Sequence, residues 1–114
     1  MQDNSVPNRV GTLLSFFTMN YQTTRWKKKR ARILRLDRYV DRYQKRYGRT
    51  VEATTVHHIY PAKEYPEYEW ADWNLISVSQ ETHNKLEDRT SGRLTKAGEN
   101  LKRRTKPGVD WRKR

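Results

Sequence analysis

The chain has 114 residues, 33% of them hydrophobic and 33% charged, with no cysteine and a formal net charge of +12. That length holds one modest core and not two, and without thiols there is neither a disulfide framework nor a thiolate zinc site. No apolar run approaches the roughly 20 residues of a membrane span, and the short stretch Leu13 to Phe17 lacks the flanks of a secretory signal, so a cytoplasmic protein with no membrane partner is expected.

Residues 1–21 are expected to form a loose segment, which holds one small apolar patch, Leu13, Leu14, Phe16 and Phe17. From Thr24, which can serve as a cap, Trp26, Ile33, Leu36, Val40, Tyr43 and Tyr47 recur at helical spacing. This predicts one long basic helix over 24–47, ended by Gly48. Thr50 to His58 is rich in β-branched residues and predicts a strand. Pro61 and Pro66 then break the chain in a loop carrying Tyr60, Tyr65, Tyr68, Trp70 and Trp73, aromatic groups expected to cover a core that is poor in aliphatic residues. A second strand follows at Leu75 to Val78, and Ser77 or Ser79 can cap a helix that starts near Gln80 and stops near Thr90 to Gly92. A last helix is predicted over 95–104, before Pro107, Gly108 and a mobile basic tail, Trp111 to Arg114.

Charge is laid out in blocks. Residues 25–50 carry twelve basic and two acidic groups, 51–88 two basic and eight acidic, and 89–114 ten basic and two acidic. Two cationic arms thus flank an acidic centre, a layout suited to gripping a polyanion on either side of a bound cation. Lys27, Lys28 and Arg30 in the first arm, and Arg89, Arg93, Lys102 and Arg103 in the second, are the candidate phosphate contacts.

All three histidines, His57, His58 and His83, fall in the acidic centre. Strand side chains alternate between faces, so neighbouring His57 and His58 cannot easily share one ion. One of the two can meet His83 across a metal while the other keeps a free imidazole. Glu87 stands four residues after His83, one helical turn on, where a carboxylate would complete a three-ligand open site. Hydrolysis of a phosphodiester needs that division, a Lewis acid on the phosphate and a base for water. Asn74 closes the aromatic loop, where its amide can hold the loop backbone.

The strings VHHI-Y-P, D-x-x-N-L-I-S and H-N-K resemble the motif of the HNH, or ββα-metal, endonucleases, and the wider wording RYGRTVEATTVHHIYP and NLISVSQETHNK resembles the small enzymes of bacteriophages and prophages. The resemblance covers about 26–101. It implies an α+β fold: two short antiparallel strands, a long loop and a helix, preceded by the basic helix and followed by a short one. The expected layout is a single domain over 1–114, with the ββα-metal core at 50–90 and a basic arm at 93–114. It also implies His57 and His83 as metal ligands, His58 as general base and Asn74 as the residue that orients the loop. Glu87 occupies the position where relatives carry a further histidine. The implied activity is that of a metal-dependent DNA endonuclease or nickase. Its partners would be double-stranded DNA and phage terminase or other packaging proteins, and a monomer is favoured. The alternative is a catalytically degenerate, basic DNA-binding accessory in phage packaging. One divalent ion is implied, Mg²⁺ or Mn²⁺ ahead of Zn²⁺ or Ni²⁺, because a carboxylate hardens the site.

Many small phage relatives also bind a structural zinc through two Cys-x-x-Cys pairs. Asp41, Gln44, Ser79 and Thr82 stand in those positions here, so no structural zinc is expected. Its role would pass to packing of the basic helix and the aromatic loop.

Overall fold

A computed structural model describes residues 20–113. The apolar patch at 13–17 lies outside them. Helix α1 spans Thr24–Leu36, and its cap is Thr23, whose hydroxyl accepts from the Trp26 N–H. Lys, Arg, Ala and Leu make it a good helix former, and Trp26, Ile33 and Leu34 are its buried stripe.

The predicted long helix is in fact broken after Leu36. Arg38 and Tyr39 adopt φ of 55° and 59°, left-handed conformations that cost non-glycine residues on the order of 1 kcal/mol each. The chain then turns back into the four-residue helix α2, Arg42–Lys45. The turn carries the carboxylates of Asp37 and Asp41 to the second strand, and the bonds that they make there hold it.

Strands β1, Thr55–His58, and β2, Leu75–Val78, pair antiparallel with His57 opposite Ile76 and His58 opposite Leu75. The predicted strand from Thr50 is shorter than expected; before Thr55 only an isolated bridge joins Glu52 to Val40. Alternate backbone groups of β2 face away from β1, and side chains rather than a third strand satisfy them. Asp37 accepts from Ser77 N–H at 3.1 Å, Asp41 accepts from Ser79 N–H at 2.9 Å, and Arg112 donates to the Leu75 carbonyl. An open edge of this kind would otherwise invite pairing with another chain.

The two sheet faces carry two core clusters. Val56 and Leu75 pack with Trp26, Ile33, Leu34, Ala53 and the half-buried Trp70. Ile76 and Val78 pack with Ile59, Leu86 and Leu101, joined by Tyr43, Tyr60, Ala97 and Trp111. Each fully buried aliphatic side chain contributes about 1.5–3 kcal/mol, so this small core depends on every member. Helix α3, Gln80–Leu86, is capped by Ser79, and α4, Lys96–Arg104, by Thr95. The two helices meet so closely at Gly98 that a Cβ there would lie 2.1 Å from the Leu86 carbonyl oxygen.

The four residues at the zinc-knot positions form a hydrogen-bonded cluster. Asp41 caps α2 through Gln44 N–H and holds Ser79 N–H, Gln44 Nε2 donates to Thr82 Oγ1 at 3.2 Å, and Ser79 Oγ donates to Thr82 Oγ1 at 3.0 Å. Asp41 and Thr82 are fully buried. These four side chains themselves tie α2 to α3, a role that the sequence leads one to expect from packing of the basic helix and the aromatic loop.

The segment after α4 is also different from expectation. Trp111–Lys113 forms a 3-10 turn whose Trp111 Nε1–H donates to the Trp73 carbonyl, while Arg112 reaches the buried Asp37, so the basic tail is docked through residue 113.

Candidate metal centre

Alternation along β1 sends its two histidines to opposite faces. His57 faces α3, its ring centroid 5.3 Å from that of His83, and His58 faces α1, its ring stacked 5.4 Å from Trp26 at an interplanar angle of 20°. Glu87 lies just past the end of α3, with extended backbone and not one turn further along the helix. Its carboxylate still comes back toward both rings, 3.5 Å from His83 Nε2 and 3.8 Å from His57 Nδ1. One donor atom from each of His57, His83 and Glu87 falls within 4.8 Å of the others, about the span of one coordination sphere.

His57 tests whether a cation fits there. The side chain is buried, and neither Nδ1 nor Nε2 has a hydrogen-bond partner among the described residues. A buried polar group left unpaired costs about 1–3 kcal/mol. Burial, with the neighbouring His83 and His58, pushes its pKa down to about 3, so the ring is neutral with a lone pair available. Its approach to Glu87 is therefore not an ion pair. Two imidazoles and a carboxylate suit a divalent ion such as Mn²⁺ or Zn²⁺, and these residues fit one.

His58 has a different environment. Its Nε2 lies 3.1 Å from the Glu69 carbonyl, which accepts the ring N–H and leaves Nδ1 as the basic nitrogen. Burial lowers its pKa to about 4 against the opposing pull of that carbonyl, so the ring is neutral at pH 7. The carbonyl is held in place by the loop clip at Asn74, which is fully buried. Asn74 Oδ1 accepts from Tyr60 N–H at 2.7 Å, and Nδ2 donates to the carbonyls of Tyr60 and Tyr68 at 3.0 and 3.1 Å. Tyr68 immediately precedes Glu69, which links the asparagine to the histidine through one peptide.

His58, His83 and Glu87 open on a pocket of about 280 Å³ whose other walls include Tyr21, Trp26 and Arg30. Arg30 also donates to the Thr54 carbonyl at 2.6 Å, which fixes it at the pocket edge. Of the other predicted phosphate contacts, Lys27, Lys28 and Arg89 are exposed, and Arg93 lines a separate groove with Lys63 and Glu64. Two are engaged elsewhere. Lys102 lies over the rings of Tyr60 and Tyr65 and pairs with Glu99 at 3.5 Å, and Arg103 donates to Asn100. The aromatic loop is mutually packed, Tyr60 touching Tyr65, Tyr68 and Trp73, and so covers the core as expected.

Sequence reasoning missed two contributors. Trp26 was read as part of the core stripe, and it is, but its indole also stacks on His58; its register seven residues before Ile33 gave no sign of that. The Glu69 carbonyl is a backbone group and leaves no trace in side-chain chemistry.

Two antiparallel strands, a clipped loop and a helix around His57, His58, Asn74 and His83 make this the ββα-metal fold of the HNH endonucleases. Among solved structures, the chain is similar to the HNH endonuclease of the deep-sea thermophilic bacteriophage GVE2, determined with manganese ion. The two are 25% identical over 64% of this chain and 75% of that one, with a TM-score of 0.54. No sequence model of a known family matches the chain, and no curated protein does.

Proposed function

We propose that the protein is a metal-dependent endonuclease that hydrolyses phosphodiester bonds of double-stranded DNA. The observation that carries this reading is a buried His57, without a hydrogen-bond partner among the described residues, grouped with His83 and Glu87, while a separately anchored His58 opens on the pocket that His83 and Glu87 also line. His57, His83 and Glu87 would hold the ion, Mn²⁺ or Mg²⁺ by the hardness of the carboxylate. When bound, such an ion supplies Lewis acidity to the phosphate oxygens.

The chain's own groups do the rest. His58 Nδ1 accepts a proton from water as the water oxygen bonds to phosphorus and the bond from phosphorus to the 3′ oxygen breaks, leaving a 5′ phosphate and a 3′ oxyanion that takes a proton from solvent to become the 3′ hydroxyl. Trp26 and the Glu69 carbonyl keep the imidazole in one tautomer and one orientation. Arg30, at the pocket edge, offers its remaining N–H groups to the strand. The similarity to a phage enzyme supports a phage setting, in which packaging proteins would be partners.

Cleavage of supercoiled plasmid in Mg²⁺, Mn²⁺, Ni²⁺ and Zn²⁺ tests the reading. Wild type should cut in at least one. His58→Ala should lose on the order of 10² to 10⁴ in rate while calorimetry still registers Mn²⁺ binding, and His83→Ala should lose both. A wild type that binds duplex but cuts in none of the four ions is instead a DNA-binding accessory. Loss of ion binding in His58→Ala would exchange the roles of the two strand histidines.

A further inference from the structure

Helix α1 carries a second cationic surface. Arg25, Lys28, Lys29 and Arg32 recur at i, i+3, i+4 and i+7, which places four cations on one helix face. Like charges at that spacing oppose one another and weaken the helix by a few tenths of a kcal/mol per pair. These four line a groove of about 310 Å³ whose floor is the indole of Trp70.

Their compensation is incomplete. Lys29 and Arg32 share the single carboxylate of Asp72, at 2.6 and 2.8 Å. Arg25 lies 3.7 Å over the Trp70 ring, a contact that orients the guanidinium, whose N–H groups donate to no partner among the described residues. The Glu69 carboxyl is near enough to feel the Arg25 charge, and Lys28 is exposed with no ion pair among the described residues. A face with four cations and two acids, floored by a flat ring, is suited to an anion with several acceptor oxygens.

Its position says which anion. Trp70 is 6.2 Å from Trp26, and Trp26 is 5.4 Å from His58, centroid to centroid. The groove floor is therefore two ring contacts from the group that faces the scissile bond, a reach of one or two nucleotides along a strand. We propose that this groove is a subsite for a flanking phosphate of the same DNA strand that is cut, with Arg25 and Lys28 as its donors and Trp70 as its floor. The inference rests on the proposed nuclease reading for its placement, and on the groove alone for its ligand chemistry. The subsite would set how the strand lies across His58, and it adds affinity without reading bases.

The test is anisotropy of a labelled duplex in EDTA over a range of salt concentrations, with dichroism to confirm folding. Two double variants are compared with wild type: Arg25→Gln with Lys28→Gln, and a control away from the groove, Lys45→Gln with Lys106→Gln. The groove pair should weaken binding at least tenfold at low salt and flatten the log-log salt slope by about 0.9, the contribution of one phosphate; the control should change the slope by less than half of that. On a duplex whose cut position has been mapped in Mn²⁺, neutral methylphosphonate linkages are then placed singly along the cut strand. A linkage within two nucleotides of the cut should abolish the difference between wild type and the groove pair. Equal slope changes in both variants, or full duplex affinity in the groove pair, would overturn the subsite, including where an acidic peptide binds there instead. A protein that never cuts but still shows the groove-dependent slope would retain the phosphate site and lose the nuclease reading.

Discussion

Arg112 lies bidentate on Asp37, its Nε 2.6 Å from one carboxylate oxygen and its Nη2 2.9 Å from the other. The Asp37 side chain is wholly buried and that of Arg112 nearly so. The remaining guanidinium donors hold the carbonyls of Asp72 and Leu75, the two residues that bracket the 3-10 turn ending at Asn74. A cationic residue counted with a DNA-gripping arm is thus a latch that joins α1, β2 and the base of the aromatic loop.

Removing one partner of a buried pair strands the other, at a cost of about 3–5 kcal/mol. Arg112→Ala should therefore lower the urea midpoint steeply. Arg112→Lys should rescue little, because an ammonium cannot span two carboxylate oxygens and two carbonyls. Recovery of wild-type stability by the lysine variant would show that charge alone, without the fork, holds the segment.

Gly98 should tolerate no side chain. A Cβ would meet the Leu86 carbonyl, a backbone atom that cannot swing aside, so α4 would have to move off α3. Gly98→Ala gains helix propensity worth up to about 1 kcal/mol and should still destabilise by about 1–3 kcal/mol, the usual cost of overpacking. Glu87 follows Leu86 directly, so calorimetry should also show weaker Mn²⁺ binding in this variant. Unchanged ion affinity would mean that Glu87 is positioned independently of the α3 and α4 contact.

Local pattern carried the ββα-metal core and little of what surrounds it. The strand Leu75–Val78, the Ser79 cap and the divergence of His57 and His58 all follow from period-two alternation and capping chemistry, which need no distant partner. That one strand histidine meets His83 was legible in the same alternation, whereas its being His57 was implied only by the family resemblance. The break in the basic helix was not, because Asp37 and Asp41 look like ordinary helix-surface acids until β2 offers them Ser77 and Ser79 N–H groups. Arg112 was likewise invisible, since its partner lies 75 positions away. Glu87 leaves the helix and pairs with Leu94 in an isolated bridge, a partner seven positions on that helical periodicity does not show.

The fold should survive chelation. The ties that link α2 to α3 are hydrogen bonds from Asp41, Gln44, Ser79 and Thr82, none of which needs an ion. Far-ultraviolet dichroism should keep its helical signal in excess EDTA, while Asp41→Ala, which uncaps α2 and leaves Ser79 N–H unpaired, should cost on the order of 3 kcal/mol. Collapse of the spectrum in EDTA would point to a metal with a structural role.

Asp72 should make stability fall with acid. The hydrogen bond from Arg32, with help from Lys29, draws its carboxyl from 3.8 down to about 2 against the effect of burial. A carboxyl whose folded pKa is depressed contributes stability that is fully present above its unfolded value of about 3.9 and is lost as pH falls toward the folded value. The side chain is 36% exposed, so solvent screening holds that contribution to about 1 kcal/mol or less. Asp72→Asn should accordingly lower the urea midpoint at pH 7, with the gap to wild type unchanged down to about pH 5 and closing between pH 4 and 2.5. No gap at any pH would show that Asp72 acts through its backbone carbonyl, which accepts from Arg112 and is kept in the asparagine variant, and a gap that stays constant down to pH 2.5 would show a side-chain contribution that does not depend on its charge.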